Sequence, residues 1–360
     1  MRVIQTDDIF RIYGDSLKVY NQIPIATYVV RFTKLQGFFL ERRDNLVVAE
    51  KAYGVHDAKA HKIIDSFGAF ERNLGVLLSG DKGIGKSMFA RTLSVLAIEK
   101  GIPVILVDTA YTGISDYLSS IKQEVMVLFD EFDKVFAKKD DDDAQASLLT
   151  LFDGTDNGKK LFVITCNDIH KINDFIVNRP GRFHYHIRFA YPTPEEIEVY
   201  MKDHLDEKYY GEIRPVVEFS MRMDLNYDCL RSIAFEINRG LTFKEAIQDL
   251  NIVRVEDEKY NVDLIYDNGV VATVCDKKFD ILSGDIEYLW IDIPNTDVSV
   301  QASFVPNKAK FDMATGTYVI RGDSFSLYYD DEDFKKKMSD TKPVELRIRR
   351  RPRKEYRYAV

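Results

Sequence analysis

The stretch Gly80-Asp81-Lys82-Gly83-Ile84-Gly85-Lys86-Ser87 decides the reading of this chain. Its spacing is G-x-x-x-x-G-K-S, and its flanks matter as much as the motif. Before it, Gly75-Val76-Leu77-Leu78-Ser79 is a short apolar run suited to a buried strand. After it, Met88, Phe89, Leu93, Leu96 and Ala97 share one side of a helix. Strand, glycine-rich turn and helix form the setting in which this motif wraps a polyphosphate. The glycines let backbone N–H groups point inward, and the helix N-terminus adds a positive field. Lys86 would reach the β- and γ-phosphates, and the Ser87 hydroxyl would ligate Mg²⁺. The whole stretch, Gly80 to Ser87, is therefore the expected binding site for ATP or a related triphosphate.

Composition narrows the classes around that motif. A chain of 360 residues has room for two or three domains with ample core. The net charge of −8 argues against a surface coated by nucleic acid, though a local basic site remains compatible. Cys166, Cys229 and Cys275 lie far apart without metal-ligand spacing, and read as reduced, buried, inert thiols of a cytoplasmic protein. His184 and His186 alternate along a strand-like run, a poor basis for a zinc site. No apolar run approaches membrane-spanning length, the first residues lack a signal-like core, and no membrane association is expected. No internal repeat is visible.

Taken in order, residues 1–55 read as a β-rich region, with Thr27 to Thr33, Gly37 to Glu41 and Leu46 to Ala49 as short strand-like runs. Tyr53-Gly54 reads as a turn, with passage near an adenine ring as the alternative. A helix pattern, Ile63, Ile64, Phe67, Phe70 and Leu74, then leads into alternating strands and helices that define a nucleotide-binding α/β domain over 56–192. Lys138 to Asp143 reads as a solvated charged loop. Thr193-Pro194-Glu195-Glu196 is a helix start with proline at its first position, opening a helical segment over 193–250. From 251 to 346 the pattern is all-β, with a hairpin expected at Asp267-Asn268-Gly269. A basic tail, 347–360, follows.

Two further signatures sit on the α/β domain. Val125 to Phe129 is an apolar run ending in Asp130-Glu131. Asp130 would hold Mg²⁺ through its water shell, and Glu131 would polarise the attacking water. Val163 to Asn167 repeats the pattern of apolar strand and polar tip, so Asn167 would lie between the two signatures and orient that water.

Asn178-Arg179-Pro180-Gly181-Arg182-Phe183, with Ser147 to Gly154 before it, resembles the second region of homology of AAA ATPases, within the AAA+ superfamily. The resemblance covers roughly residues 56 to 250. It implies a five-stranded parallel sheet between helices, a helical lid, and assembly into a homo-oligomeric ring, usually a hexamer. Arg182 matches the family's arginine finger and Arg179 its companion, both acting on a neighbouring subunit's nucleotide. Arg231 resembles the sensor arginine of the wider superfamily, and Tyr111 in Tyr111-Thr112-Gly113 resembles its pore loop. Two departures stand out: His184 occupies a position where an acid is common, and the connection carrying Tyr111 is short. The layout with flanking β-modules also resembles AAA ATPases of large tailed bacteriophages.

The cargo is less determined than the motor. The Arg-Pro-Gly-Arg motif and Tyr111 suit an ATPase that remodels or disassembles a protein client. Seven basic residues between Arg347 and Arg357, interleaved with Tyr356 and followed by Tyr358, suit a nucleic-acid loader or replication accessory factor instead. A nucleotide-gated assembly scaffold is the third alternative.

Overall fold

The structure, a computed structural model, describes residues 1–6, 8–48, 53, 56–137, 144–153, 158–177, 179, 181–221, 223–252, 258–312, 315–330, 336 and 341–351. Gly54, the charged run 138–143, Gly154, Asn178, Pro180 and the basic residues beyond Arg351 lie outside the described residues. The chain folds as two compact units, Met1–Tyr200 with Asn226–Arg231, and Met201–Leu225 with Ser232–Val360.

In the first unit a hairpin of β1 (Arg2–Thr6) and β2 (Ile9–Tyr13) precedes a seven-stranded sheet. The sheet elements follow in chain order: β3 (Thr27–Thr33), β4 (Gly37–Arg43), α1 (His56–Ala69), β5 (Leu74–Ser79), α2 (Lys86–Glu99), β6 (Val104–Val107), α3 (Ile114–Ser120) and β7 (Val125–Phe129). Then come α4 (Phe132–Val135), α5 (Leu149–Asp153), β8 (Lys160–Cys166), α6 (Asp174–Val177), β9 (Phe183–Arg188) and α7 (Pro194–His204). The strand order is β4-β3-β6-β7-β8-β5-β9. The strands from β3 to β9 are parallel, and β4 alone runs antiparallel.

Why these residues make a parallel sheet is plain from burial. Every residue of β5, β7 and β8 is buried, as strands covered by helices on both faces require. Alternate side chains feed two cores. Val76, Leu78, Leu128 and Val163 pack with Ile63, Phe67, Phe89 and Leu93 of α1 and α2. Leu77, Val127, Phe129 and Ile164 pack on the other face with Ile114, Leu118, Phe132 and Phe152.

The sheet exceeds the expected five strands by two. β3 pairs with β6 from Thr27↔Val104 to Val29↔Leu106, and β4 closes on β3 as a hairpin. Part of the 1–55 region is thus built into the seven-stranded sheet. The cause is the apolar run of β3, whose Tyr28, Val29 and Val30 are buried once it covers the β6 edge. β4 ends that side with Glu41, Arg42 and Arg43, charges that discourage further strand addition.

The second unit contains α8 (Ile213–Ser220), most of α9 (Tyr227–Asn238), and α10 (Phe243–Asp249). A capping box between Thr242 and Glu245 starts α10, as the Thr193–Glu196 pair starts α7. Its β-module has two sheets. One, in the order β11-β10-β17-β15-β14, is made of β10 (Glu258–Tyr266), β11 (Val271–Phe279), β14 (Lys310–Asp312), β15 (Thr317–Arg321) and β17 (Pro343–Arg350). The other, β12-β13-β16, is made of β12 (Glu287–Asp292), β13 (Ser299–Phe304) and β16 (Phe325–Tyr329). Tyr260, Val262, Leu264, Leu346 and Ile348 from the first meet Leu289, Ile291, Val300 and Phe304 from the second in one core. Gly269, at φ +84°, forms the expected hairpin turn between β10 and β11.

The start of the basic run is no tail. Arg347 to Arg350 lie in β17, between β10 and β15, because Leu346 and Ile348 alternate into the core. Their guanidinium groups are engaged: Arg347 by Glu345, Arg349 by Asp263 at 2.8 Å, Arg350 by Asp224, and Arg351 beyond the strand by Asp276. The cysteines also differ from expectation. Cys166 is buried, with burial pushing its thiol up to about 12, but Cys229 is only half-buried and Cys275 is exposed.

Gly75 shows how tightly β5 and β9 are fitted. A Cβ there would run into the Arg182 carbonyl oxygen and come within 2.9 Å of Phe183 Cα, both backbone atoms. Gly75→Ala is therefore expected to lower unfolding free energy by about 1–3 kcal/mol. Chemical unfolding without nucleotide measures it; an unchanged midpoint would contradict this packing.

Candidate functional site

The glycine-rich turn leaves the carboxyl end of β5 and delivers the chain into α2. Gly80, Gly83 and Gly85 have φ of +144°, +74° and +99°, a region that side chains make costly. Space adds a second restriction at Gly80, where a Cβ would lie 2.5 Å from the Phe189 carbonyl oxygen. Ile84 is buried beneath the turn and anchors it. The loop is also held from outside. Asn226 Nδ2 donates to the Lys82 carbonyl at 3.2 Å, and Tyr227 N donates to that of Gly83 at 2.9 Å.

Lys86 is buried, and its ammonium donates to the carbonyls of Gly80 at 2.7 Å and Asp81 at 2.5 Å and to Asn167 Oδ1 at 3.0 Å. Burial pulls its pKa below the usual lysine value, opposed by Cys166 and then Asp81, Asp133 and Asp130. Asn167 comes from the end of β8, so Lys86 joins two strand tips. The other amide atom, Asn167 Nδ2, is buried, makes no hydrogen bond of full geometry and faces the Glu131 carboxylate. A buried donor left over beside an ammonium fits an anionic oxygen arriving between them.

The tips of β7 and β8 are joined by Thr165. Its hydroxyl donates to Asp130 Oδ1 at 2.6 Å and accepts from Glu131 N at 2.8 Å. Glu131 adopts φ 49°, ψ 45°, unusual for a residue with a side chain. The Thr165 contact steadies that conformation and leaves the carboxylate half exposed, paired with Lys134. Lys134 holds the Glu131 carboxyl below the usual glutamate range, with lesser help from Asn167 and Lys82. Behind them, buried Asp133 accepts from the backbone N–H groups of Asn167 and Asp168, each at 3.2 Å.

These groups border a cavity of about 430 Å³. It is lined by Lys82, Gly83, Gly85, Lys86, Ser87, Glu131, Thr165 and Asn167 together with Val47, Val48, Met88, Arg91, Tyr227, Asp228 and Arg231. Arg231 therefore joins the site, 3.6 Å from Asp228. Asp130 stands behind Thr165. Tyr227 stacks at 6.0 Å on Tyr53, which also packs on Tyr200, so Tyr53 belongs to an aromatic support under the cavity wall rather than a free turn.

The remaining expected residues lie elsewhere. Arg182 is buried, forked onto the Asp153 carboxylate and donating to the Phe175 carbonyl at 2.9 Å. Arg179 is exposed. Tyr111 is half-buried against Phe32 and Phe38, with ring centroids at 6.1 and 6.0 Å.

Thr165, Asp133 and Tyr227 were missed by the sequence reading. A lone threonine inside Val163-Ile164-Thr165-Cys166 was the available signal for the first. A third acid close behind Asp130-Glu131 was the signal for the second. Nothing local distinguishes Tyr227.

With loop, cation, carboxylate pair and polar strand tip assembled at one sheet end, comparison with known families has a definite object. Residues 76–191 match the model of the ATPase family associated with various cellular activities (AAA). The match runs from β5 to the residues before α7, and so contains the glycine-rich turn, both carboxylates, Asn167 and both arginines. This likeness to AAA ATPases supports nucleotide binding and ATP hydrolysis in general.

His186 offers a test of the site's foundations. It lies in β9, and its Nε2 meets the hydroxyl of Ser79, the last residue of β5, at 2.7 Å. Burial, helped by Arg188, depresses its pKa to about 4. The unfolded chain, with an ordinary imidazole near 6.5, binds the proton more readily between those values. Stability from this group is present above pH 6.5 and is lost as pH falls towards 4. His186→Gln is expected to flatten that part of the unfolding-midpoint profile; an identical slope in both proteins would refute it.

Proposed function

We propose that this protein is an ATP-hydrolysing, ring-forming AAA ATPase that remodels a protein client. The observation that carries the ATPase reading is the Lys86–Asn167 contact with the buried Asn167 amide beside it, one residue pair able to grip a terminal phosphate. Lys86 would exchange two loop carbonyls for phosphate oxygens, and the N–H groups of residues 80–87 would complete the cradle. The oxygen donors of Ser87 and Asp130 suit Mg²⁺, which would neutralise phosphate charge when bound. Glu131, kept ionised by Lys134 and aimed by the Thr165 contact, accepts a proton from water. Asn167 Nδ2 orients the reacting groups. Val47, Val48, Met88 and Tyr227 supply an apolar and aromatic wall for the base.

We assign the two arginines different tasks. Arg182, buried and neutralised by Asp153, positions the loop, and exposed Arg179 reaches the neighbouring subunit's nucleotide. The protein-client reading is favoured over nucleic acid because four arginines of the basic run already contact carboxylates. Tyr111, packed on Phe32 and Phe38, would present a fixed aromatic surface to a client rather than a swinging loop.

Lys86→Ala is expected to abolish detectable ATP binding, whereas Glu131→Gln retains binding and loses about 100-fold or more in turnover. Equilibrium nucleotide binding and steady-state phosphate release separate the two. Near-native turnover by Glu131→Gln would remove Glu131 from its role.

Action between subunits has its own signature. Arg179→Ala should lower turnover by about 100-fold or more without weakening ATP binding. Mixing it with Lys86→Ala protein should restore hydrolysis where an intact Arg179 meets an intact glycine-rich turn. No recovery at any ratio, with co-assembly shown by cross-linking, would refute action in trans.

A further inference from the structure

The outer face of β12-β13-β16 is unlike the rest of the surface. Tyr288, Trp290 and Tyr328 are 58%, 44% and 60% exposed, while Leu289, Ile291, Val300, Ala302 and Phe304 on the opposite face are buried. The register organises the exposed side chains into rows. Trp290 lies opposite Gln301, which lies opposite Tyr328; Tyr288 lies opposite Ser303, which lies opposite Ser326. With adjacent strands about 4.8 Å apart, the backbones bearing Trp290 and Tyr328 are about 10 Å apart, across one intervening strand. Ser303 and Ser326 hydrogen-bond to each other at 2.7 Å, which fixes the floor of the lower row.

Charge gives this face a sign. From Phe279 to Asn307 the sequence holds no lysine, arginine or histidine, but holds Asp280, Asp285, Glu287, Asp292 and Asp297. The strand β16 also lacks a basic residue, and exposed Asp330 follows it directly. Asp292 is two residues beyond Trp290, and Asp330 two beyond Tyr328. Each carboxylate therefore caps one aromatic column at the same end of the sheet. Among the described strand residues of the module, the cations lie on the other sheet: Lys277 and Lys278 on β11, Lys310 on β14, and Arg347 and Arg349 on β17 are among them.

We propose that this face is a docking platform for a polypeptide segment bearing lysine or arginine. An aliphatic or guanidinium stem lies over Trp290 or Tyr328, where the ring face attracts the cation. The charged end reaches Asp292 or Asp330, and Gln301 and the serines serve the backbone of the bound segment. Asp292 already accepts from the Ser299 hydroxyl at 2.5 Å, which orients it and leaves further lone pairs. A nucleic acid would bring phosphates to three strands that carry two carboxylates and no cation. A neutral sugar would use the rings and leave both carboxylates without a task. Exposed aromatics gathered on one face mark an interaction surface more than scattered ones do.

The platform does not rest on ATP hydrolysis, and its test uses no nucleotide. Trp290 is the only tryptophan of the chain, so its emission reports on the face directly. The full-length protein is titrated with a short peptide of Lys, Arg, Gly and Ser. Parallel titrations use the peptide with Glu in place of Lys and Arg, a neutral gluco-oligosaccharide, and a single-stranded oligonucleotide. A saturable change in emission is expected with the basic peptide only, weakening as salt rises. Tyr328→Ala should weaken binding about two- to fivefold, as should the double variant Asp292→Asn with Asp330→Asn, each with an unchanged unfolding midpoint. A silent basic peptide, or a response to the oligosaccharide or oligonucleotide instead, would overturn the proposal. A change driven by protein concentration alone would assign the face to a second copy of this chain and overturn it equally.

Discussion

A buried ammonium held by carbonyl oxygens rather than by a carboxylate is the constraint on which the first unit depends. Lys86 is out of water, and its donors are met by Gly80, Asp81 and Asn167. None of these partners carries a charge, so the charge itself is left available to an anion. Holding it there requires the tight glycine turn on one side and the tip of β8 on the other. Those in turn require β5 and β8 to be neighbours, as the strand order makes them. The sheet topology is thus read most directly as the means of placing one cation beside one amide.

The two arginines after α6 show the reverse arrangement. Arg182 sits in a fork with Asp153 and is buried; moving its guanidinium would forfeit that pair and the hydrogen bond to the Phe175 carbonyl. The pair depresses the Asp153 carboxyl and keeps it ionised. Two similar residues of one motif thus differ in burial and in pairing.

Much of the nucleotide-binding unit was legible in the sequence because its signals are local. The apolar runs of β5, β7 and β8 end in the polar residues of the candidate site, so strand and site are read together. What was hidden is non-local. Nothing within Thr27 to Thr33 says that it will pair with β6, a segment far along the chain. The role of Thr165 depends on β7 and β8 being adjacent, and that of Tyr53 on a distant helix supplying Tyr227. The run Arg347 to Arg351 misled for another reason. Its charge overshadowed a period-two alternation, Leu346 and Ile348, that marks a buried strand. Charge composition describes what a side chain carries, and burial of its neighbours decides where it points.

The position of β17 bears on how the β-module comes into being. It is the last of the five strands in sequence, yet it lies third in the sheet, with Tyr260 opposite Arg350 and Tyr318 opposite Ile348. During synthesis the β10–β11 hairpin emerges early and must wait for its second neighbour, at translation rates of about 5–20 residues per second. Through that interval β10 presents an open edge with Tyr260, Val262 and Leu264 uncovered, the kind of surface that pairs with the wrong strand. Closing the sheet is a long-range event, slow by its nature. Until β17 is made, the nascent module therefore carries an edge that only its own last strand is built to close.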